Sequence, residues 1–427
     1  MDLEARVLRK IGWRILPFVM LLYFVSFLDR VNVGFAALTM NGDVGLTSSV
    51  YGLGAGIFFL GYFLFEVPSN LILHKVGARV WIARVMISWG LISAAMAWVQ
   101  GPASFVGLRF LLGVAEAGFF PGIILYLSTW FPARQRAAAT AVFMAAAPLS
   151  TALGSPVSGA LLGLHGLWGL AGWQWLFLLE ALPAIILGFV VLGYLTDRPA
   201  DARWLTDDER TWLVAAMARE APPAPHSLWQ GLRQGLSDRR VLALALVYFG
   251  TSAGLYTLGL WSPQIIAQFG LSPIAIGVVN ALPGIVAVAA MILWSRHSDA
   301  SGERTWHVAG ACLLAAAGLA WAGLAASLWG VVLALVLVNM GVSSAKPPLW
   351  AMPTRFLSGS AAATGIAAIN AIGNLGGFFG PAMIGWIHGA TGSFRGGLYF
   401  VAGLLAVSAL LVLALARAGL AKPSAGA

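Results

Sequence analysis

Charged residues are scarce in this chain, and so are cysteine and histidine. Only 10% of the 427 residues are Asp, Glu, Lys or Arg, whereas a soluble domain carries about 25%. The single cysteine, Cys312, excludes a disulfide framework and a thiolate metal site. None of the six histidines has a partner at metal-ligand spacing, and no phosphate-binding loop is present. We therefore expect no metal, no cofactor and no use of ATP.

Long apolar runs take the place of these features. The chain is 59% hydrophobic, and windows of about 20 apolar residues predict membrane-spanning helices. The twelve predicted spans lie near 13–37, 50–73, 80–99, 103–126, 137–163, 172–195, 239–265, 272–294, 305–327, 330–352, 362–388 and 395–417. We therefore predict an all-α membrane protein with six spans in residues 1–195, a charged cytoplasmic linker at 196–238 and six spans in 239–427.

The basic residues are distributed unevenly between the two sets of span ends. Of the 25 Lys and Arg, 21 lie on the side that carries both termini, and one, Arg395, lies on the other. Cytoplasmic loops of membrane proteins are enriched in this way. The pattern predicts cytoplasmic termini, and it explains the basic pI without a nucleic-acid partner. Since Arg far outnumbers Lys and Ala is abundant, we expect a bacterial inner-membrane protein.

The two halves show an internal repeat. Gly77 of the first half recurs as Gly302 in the second, and Pro156 recurs as Pro381 at the same offset along the chain. Each pair falls at the equivalent helix of its half. Two six-helix halves related by an axis along the membrane normal place a substrate site between them, near the middle of the bilayer. The repeat therefore predicts the major facilitator fold.

Several motifs along the chain resemble the anion:cation symporter family of the major facilitator superfamily. They are DRVNVG at 29–34, FEVPSN at 65–70, RFLLG at 109–113, WQWLF at 173–177 and INAIGNLGG at 369–377. The resemblance covers essentially the whole chain, and it is nearest to bacterial members that move tartrate, phthalate and sugar acids. It implies proton-coupled uptake of a small organic anion, and we expect a monomer. Residues 144–148 lack the glutamine that sugar-acid carriers place against hydroxyls, which favours a smaller or more apolar anion.

Two arginines and two carboxylates lie deep inside the first and fourth predicted spans: Asp29, Arg30, Arg109 and Glu116. A charge at the bilayer centre costs at least ~2.5–3.5 kcal/mol, so such residues normally face a polar interior and have a function there. At 1.5 Å per residue, Arg30 and Arg109 lie about 10 and 9 Å from the outer ends of their spans. Because a guanidinium donates two parallel hydrogen bonds to a carboxylate and keeps its proton, we expect both to bind substrate.

The two carboxylates are the candidates for proton coupling. Arg109 and Glu116 are two helical turns apart and therefore share one helix face. A substrate anion bound to Arg109 would remove the counter-ion of Glu116, which would then take up a proton more readily. Asp29 beside Arg30 would form a second such pair. Alternatively, the four residues form two buried salt bridges that only fix helix packing.

Further polar residues are candidates for the substrate site. Tyr62 matches a tyrosine that lines the pocket in members of the family, or it packs between helices. Asn370 and Asn374 share one face of span eleven, where they contact substrate or form hydrogen bonds across helices. Lys346 binds a second carboxylate, lines the inner gate or extends to the membrane interface. Glu66 and Glu180 match family motifs, and we interpret both as structural.

Three loop charges, Arg79, Asp299 and Arg304, are predicted to latch the halves on the cytoplasmic side in one state; the alternative is that they are solvated. Two other functions remain open. A proton-driven exporter of drugs or metabolites would have the same fold, but its substrates are often cationic or apolar, which the buried arginines disfavour. A membrane-embedded enzyme would need a nucleophile–base pair or a metal cluster, and the spans contain neither.

Overall fold

The computed structural model describes residues 3–219, 238–353, 356–357 and 359–418, and within them all regular structure is helical. Twelve helical spans are long and apolar enough to cross a membrane. Eight are single helices: Ser48–Val76, Ala78–Ala95, Gly172–Tyr194, Arg239–Ala267, Pro273–Ser301, Thr305–Ala322, Leu328–Ala351 and Arg395–Arg417. Four consist of two helices each: Leu3–Val31 with Val33–Asp43, Pro102–Glu116 with Phe119–Trp130, Ala133–Met144 with Ala146–Leu162, and Gly359–Asn374 with Gly376–Thr391. The spans are numbered 1 to 12 in chain order.

These spans confirm the predicted fold class, although some helices run past the predicted ends. Span 1 begins at Leu3, and span 8 continues to Ser301. Hydropathy detects only the part of a helix that contacts hydrocarbon, whereas backbone hydrogen bonding continues into water. The linker contains one helix, Asp207–Arg219, with acidic residues in its first turn and Arg219 in its last. That arrangement complements the helix dipole. Residues 220–237, with the proline-rich run, lie outside the described residues.

With an even number of spans, both ends of the described chain lie on one side, which we call the termini side; the other is the far side. On the far side the two halves pack closely. A Cβ on Gly52 of span 2 would lie 2.8 Å from the Cα of Gly385 in span 11, and one on Gly277 of span 8 would lie 2.4 Å from the carbonyl oxygen of Ser155 in span 5. Gly52 and Gly277 are separated by the same offset as Gly77 and Gly302, so the two contacts are related by the internal repeat.

Hydrogen bonds reinforce this far-side contact. The Tyr51 hydroxyl donates to the carbonyl oxygen of Leu260 at 2.8 Å, and the Asn280 amide donates to Ser155 Oγ at 2.9 Å. Within the described residues, no hydrogen bond between the halves lies nearer the termini side than one between Glu66 and Asn370. The structure is therefore closed on the far side.

Candidate functional site

Among the described residues, the most deeply buried ion pair joins span 1 to span 4. Arg30 Nη2 lies 2.6 Å from Glu116 Oε1, and Arg30 Nε donates to the same oxygen at 2.7 Å. The hydroxyl of Ser26, one turn before Arg30, also donates to it at 2.6 Å. Arg30 and Glu116 are 5% and 1% exposed. Glu116 is the last residue of its helix, and the break at Ala117 and Gly118 follows it directly.

Arg30 also contacts the other half of the molecule. Its Nη1 donates to the hydroxyl of Tyr256 in span 7 at 3.0 Å. Its guanidinium carbon lies 5.1 Å from the ring centroid of Tyr62 and 5.6 Å from that of Phe58, within cation–π range. One guanidinium therefore connects the carboxylate, an aromatic wall and the opposite half.

Arg109 has different partners. Its Nη2 donates to the carbonyl oxygen of Ala55 at 3.1 Å, and its Nε donates to that of Gly54 at 3.4 Å. Its guanidinium carbon lies 5.1 Å from the Phe58 ring, so both arginines lie beside the same aromatic ring. Arg109 thus binds the backbone of span 2 and has no carboxylate partner within the described part of the chain.

Asp29 faces away from Arg30, toward span 3. Its Oδ2 accepts a hydrogen bond from Trp89 Nε1 at 2.8 Å, and its Oδ1 accepts from Ser93 at 3.1 Å and from Asn32 at 3.3 Å. It is 1% exposed. The three donors are neutral, so this carboxylate is buried without an ion-pair partner among the residues described.

The charge pairing therefore differs from the expected pairs, Arg109 with Glu116 and Asp29 with Arg30. The structure instead pairs Arg30 with Glu116 across two spans. Neighbours in sequence on a helix point about 100° apart, which separates Asp29 from Arg30. Arg109 and Glu116 lie about two turns apart along one helix, and the partner of Glu116 lies on the facing span.

Glu66 and Asn370 connect the two halves on the termini side of the ion pair between Arg30 and Glu116. The Asn370 amide donates to Glu66 Oε1 at 2.6 Å, between spans 2 and 11. The other oxygen, Oε2, is buried without a hydrogen-bond partner. Asn374, one turn after Asn370, is 8% exposed. Of the two roles considered for Asn370, substrate contact and a hydrogen bond across helices, the structure shows the second.

Lys346 supplies a cation from the C-terminal half. It lies in span 10, is half-buried and forms no hydrogen bond or ion pair with a described residue. It is close enough to Arg30 for their like charges to interact. The region between the halves thus contains a paired cation from one half and an unpaired cation from the other.

Glu180 and the loop charges contact residues of their own half or of the linker. Glu180 is 3% exposed and accepts a hydrogen bond from Ser158 at 2.6 Å. Arg79 Nε lies 3.8 Å from Asp197 Oδ2, at the start of the linker that directly follows the N-terminal half. Arg304 lies 2.6 Å from Asp299, within the C-terminal half. The three predicted latch residues therefore do not bridge the halves in this state.

Sequence reasoning missed five residues of the site: Ser26, Phe58, Trp89, Ser93 and Tyr256. Ser26 lies one turn before Arg30 on the same helix face, so helical spacing could have indicated it. The internal repeat maps Tyr256 onto Val31, directly after Arg30, so the symmetry of the chain also carried a signal. Trp89 and Ser93 lie in a span without buried charge, and only the fold reveals their contacts.

No group of three or more His, Cys, Asp or Glu side chains that could hold a metal occurs within residues 3–219 and the other described ranges. Twelve spans and charged residues buried between two halves instead define a membrane transporter. The chain belongs to the Major Facilitator Superfamily, whose family model matches residues 19–381. The relatives confirm the resemblance to its anion:cation symporters.

Among these relatives, an Agrobacterium vitis protein named "Putative tartrate transporter" is 72% identical over 97% of this chain and 92% of its own length. A quinolone resistance transporter of Acinetobacter baumannii is 42% identical, with 94% of this chain and 93% of its length covered. A crystal structure of a bacterial homologue of the human lysosomal transporter Spinster has a TM-score of 0.80 at 16% identity and covers 97% and 99% of the two chains. At that identity the likeness supports the fold alone.

Proposed function

We propose that the protein is a proton-coupled symporter that imports a small hydroxy-dicarboxylate, tartrate being the first candidate, across the bacterial inner membrane by alternating access. The name of the 72% identical relative supports the substrate class. The buried cations support an anionic substrate, because a guanidinium binds a carboxylate with two hydrogen bonds.

The observation that carries this proposal is the ion pair between Arg30 and Glu116. A substrate carboxylate would take the place of Glu116 at the Arg30 guanidinium. Glu116 would then be a buried carboxylate without its counter-ion, and such a group is stabilised by taking up a proton. Anion binding and proton uptake are thereby coupled at one guanidinium.

Lys346 is proposed to bind the second carboxylate. It is half-buried in span 10, within electrostatic range of Arg30, and has no protein anion as a partner among the described residues. A dianion held between Arg30 in one half and Lys346 in the other would draw the halves together. Tyr62 and Asn374 would contact the body of the substrate, and Arg109 would join only in a state in which it releases the carbonyls of span 2.

Asp29 is proposed as the second proton site. Its three neutral donors hold the carboxylate in place, while no cation of the described chain pairs with it to oppose its protonation. Because Trp89 and Ser93 belong to span 3, a change in charge on Asp29 would alter the contact between spans 1 and 3.

The test is uptake of radiolabelled tartrate by proteoliposomes with an imposed pH gradient. For one coupled proton, each pH unit is worth about 1.4 kcal/mol and supports about tenfold accumulation. Wild-type protein should concentrate tartrate, whereas Glu116→Gln should still bind and exchange it but should accumulate about tenfold less per pH unit, because only coupling through Asp29 would remain. The Gln side chain keeps the shape but cannot exchange a proton.

The matched control is Glu180→Gln, which removes a buried carboxylate that lies outside the ion pair. It should still concentrate tartrate. Accumulation by Glu116→Gln equal to that of the wild type would reject the coupling role. Extrusion of a quinolone without movement of any organic acid would instead identify an exporter, the activity for which the Acinetobacter baumannii relative is named.

A further inference from the structure

A second charged pocket lies on the termini side, away from the substrate site. Its volume is about 640 Å³, within the ~300–1,000 Å³ range of small-molecule sites. It lies where span 1 enters the membrane, between the end of span 6 and the linker helix Asp207–Arg219. The substrate mechanism uses none of its residues.

Four cations line this pocket: Arg6, Arg9, Lys10 and Arg14. The carboxylate that faces them is Glu209 of the linker helix, which lies 2.7 Å from Lys10 Nζ and 3.5 Å from Arg6 Nε. The hydrogen bond from Lys10 lowers the pKa of Glu209 below its ordinary value, so this residue carries its full negative charge at neutral pH. The pocket therefore retains a strong positive excess.

Glu209 leaves two of these cations uncompensated. Arg9 is exposed and forms no ion pair with any described residue. The guanidinium of Arg14 lies between two aromatic rings, 4.7 Å from the centroid of Tyr194 and 5.0 Å from that of Trp204. Stacking fixes the position of Arg14 but leaves its charge unneutralised. These two arginines are available to an anion.

The aromatic residues place the pocket at the edge of the membrane. Trp13 is 75% exposed and lies between Lys10 and Arg14, where the apolar part of span 1 begins. Tyr194 ends span 6, and its hydroxyl donates to the carbonyl oxygen of Arg14 at 2.9 Å. The Trp204 ring stacks on Trp130 at a centroid distance of 5.4 Å. Tryptophan and tyrosine concentrate at the level of lipid headgroups.

We propose that this pocket binds the phosphate of an anionic phospholipid headgroup, with Arg9 and Arg14 as the phosphate ligands. Basic pockets between spans on the cytoplasmic side recognise such headgroups, and an exposed tryptophan beside the pocket suits the attached acyl chains. A bound lipid would link span 1, span 6 and the linker helix through one headgroup.

The test is native mass spectrometry of the purified full chain with short-chain phosphatidylglycerol, with phosphatidylcholine of the same chain length as the neutral probe. Arg9→Gln combined with Arg14→Gln should weaken phosphatidylglycerol binding roughly 30-fold, since each cation near the surface contributes about 1 kcal/mol. The control combines Arg296→Gln with Arg417→Gln, two exposed arginines on the same side. It should weaken phosphatidylglycerol binding less than about threefold, because neither residue lines the pocket and exposed charges contribute little.

Three results would overturn the assignment. Wild-type protein could bind the two lipids equally, or both double variants could lose binding equally. Inorganic phosphate alone could displace phosphatidylglycerol as effectively as the lipid itself, which would make this a site for a soluble anion. Should the pocket double variant fail to fold, Arg9→Gln alone removes an exposed side chain and should weaken lipid binding about fivefold.

Discussion

At the scale of single residues, the two cations between the halves differ in one respect. Arg30 already holds a protein carboxylate, Glu116, whereas Lys346 holds none among the described residues. A half-buried lysine without a counter-ion bears part of the cost of desolvation without a compensating attraction. A substrate carboxylate would supply the missing partner, and this difference makes the role of Lys346 testable.

Lys346→Ala should weaken binding of dicarboxylates far more than binding of monocarboxylates. A hydrogen bond to a charged group is worth about 1.5–3 kcal/mol, or roughly 10- to 150-fold in affinity. We expect a loss of that size for tartrate and less than about threefold for a monoanion of similar size. Isothermal titration of the purified variants gives both values. Lys346→Arg, which keeps the charge, is the control, and equal losses for the two substrate classes would contradict the role.

The sequence was sufficient to locate the buried charges but insufficient to pair them. Hydropathy alone places Asp29, Arg30, Arg109 and Glu116 inside spans, because apolar runs surround them. Spacing along one helix shows which residues share a face, yet Glu116 bonds to a residue of another span. That choice depends on how spans 1 and 4 pack, which their local sequences do not encode.

At the scale of helices, the far side is closed by close backbone contacts. Gly52 and Gly385 bring spans 2 and 11 so close that a Cβ on Gly52 would also lie 2.8 Å from the carbonyl oxygen of Pro381. Backbone atoms at such a distance cannot yield as a flexible side chain would. A single methyl group in this contact should therefore separate the two spans.

Gly52→Ala should shift the protein toward a state that is open on the far side. In a background in which Cys312→Ser removes the only cysteine, Leu258→Cys places a thiol in a small cavity between the halves. A membrane-impermeant maleimide added on the far side should label it several-fold faster in the Gly52→Ala variant, because the closed state is destabilised.

The control is Gly403→Ala in span 12, where a Cβ would meet no atom within 4 Å. Alanine in place of glycine stabilises a helix by about 1 kcal/mol, so this variant should keep the slow labelling rate. Equal labelling rates in the Gly52→Ala and Gly403→Ala variants would show that the contact at Gly52 does not keep the far side closed.

Helix ends and breaks were less predictable than the spans themselves. Span 4 divides at Ala117 and Gly118, where Gly118 has a φ of 85°, a left-handed conformation that favours glycine. Nothing in the apolar pattern of 103–126 distinguished that glycine from its neighbours. The break became meaningful only once the structure showed Glu116 at the end of the preceding helix.

At the scale of the whole molecule, the distribution of charge should fix the orientation. Both described ends lie on the side to which the sequence pattern assigns 21 of the 25 basic residues. We expect a C-terminal fusion to green fluorescent protein to fluoresce in bacterial cells and a C-terminal fusion to a periplasmic phosphatase to be inactive. The same fusions placed after residue 166, in the far-side loop between spans 5 and 6, should give the opposite result. A reversed pattern would contradict cytoplasmic termini.

The overall architecture was the most predictable feature. The lengths of the apolar runs predicted the number of spans, and the constant offset between equivalent residues predicted the two halves. Both features can be read from the sequence alone, because neither depends on how the helices pack. The state of the molecule could not be predicted in this way. Closure on the far side depends on contacts such as Tyr51 with Leu260, and one sequence must be compatible with more than one such state.

The pairing of Arg30 with Glu116 has an electrical consequence. When the binding site is empty, the two opposite charges cancel within one ion pair, so this pair moves no net charge through the membrane potential as the carrier resets. One elementary charge crossing 100 mV is worth about 2.3 kcal/mol. Once a substrate carboxylate is bound to Arg30 and a proton to Glu116, the charges at this position again sum to zero. Any voltage dependence of transport should therefore come from charged groups elsewhere, and both the loaded and the empty step should be electrically silent at this position.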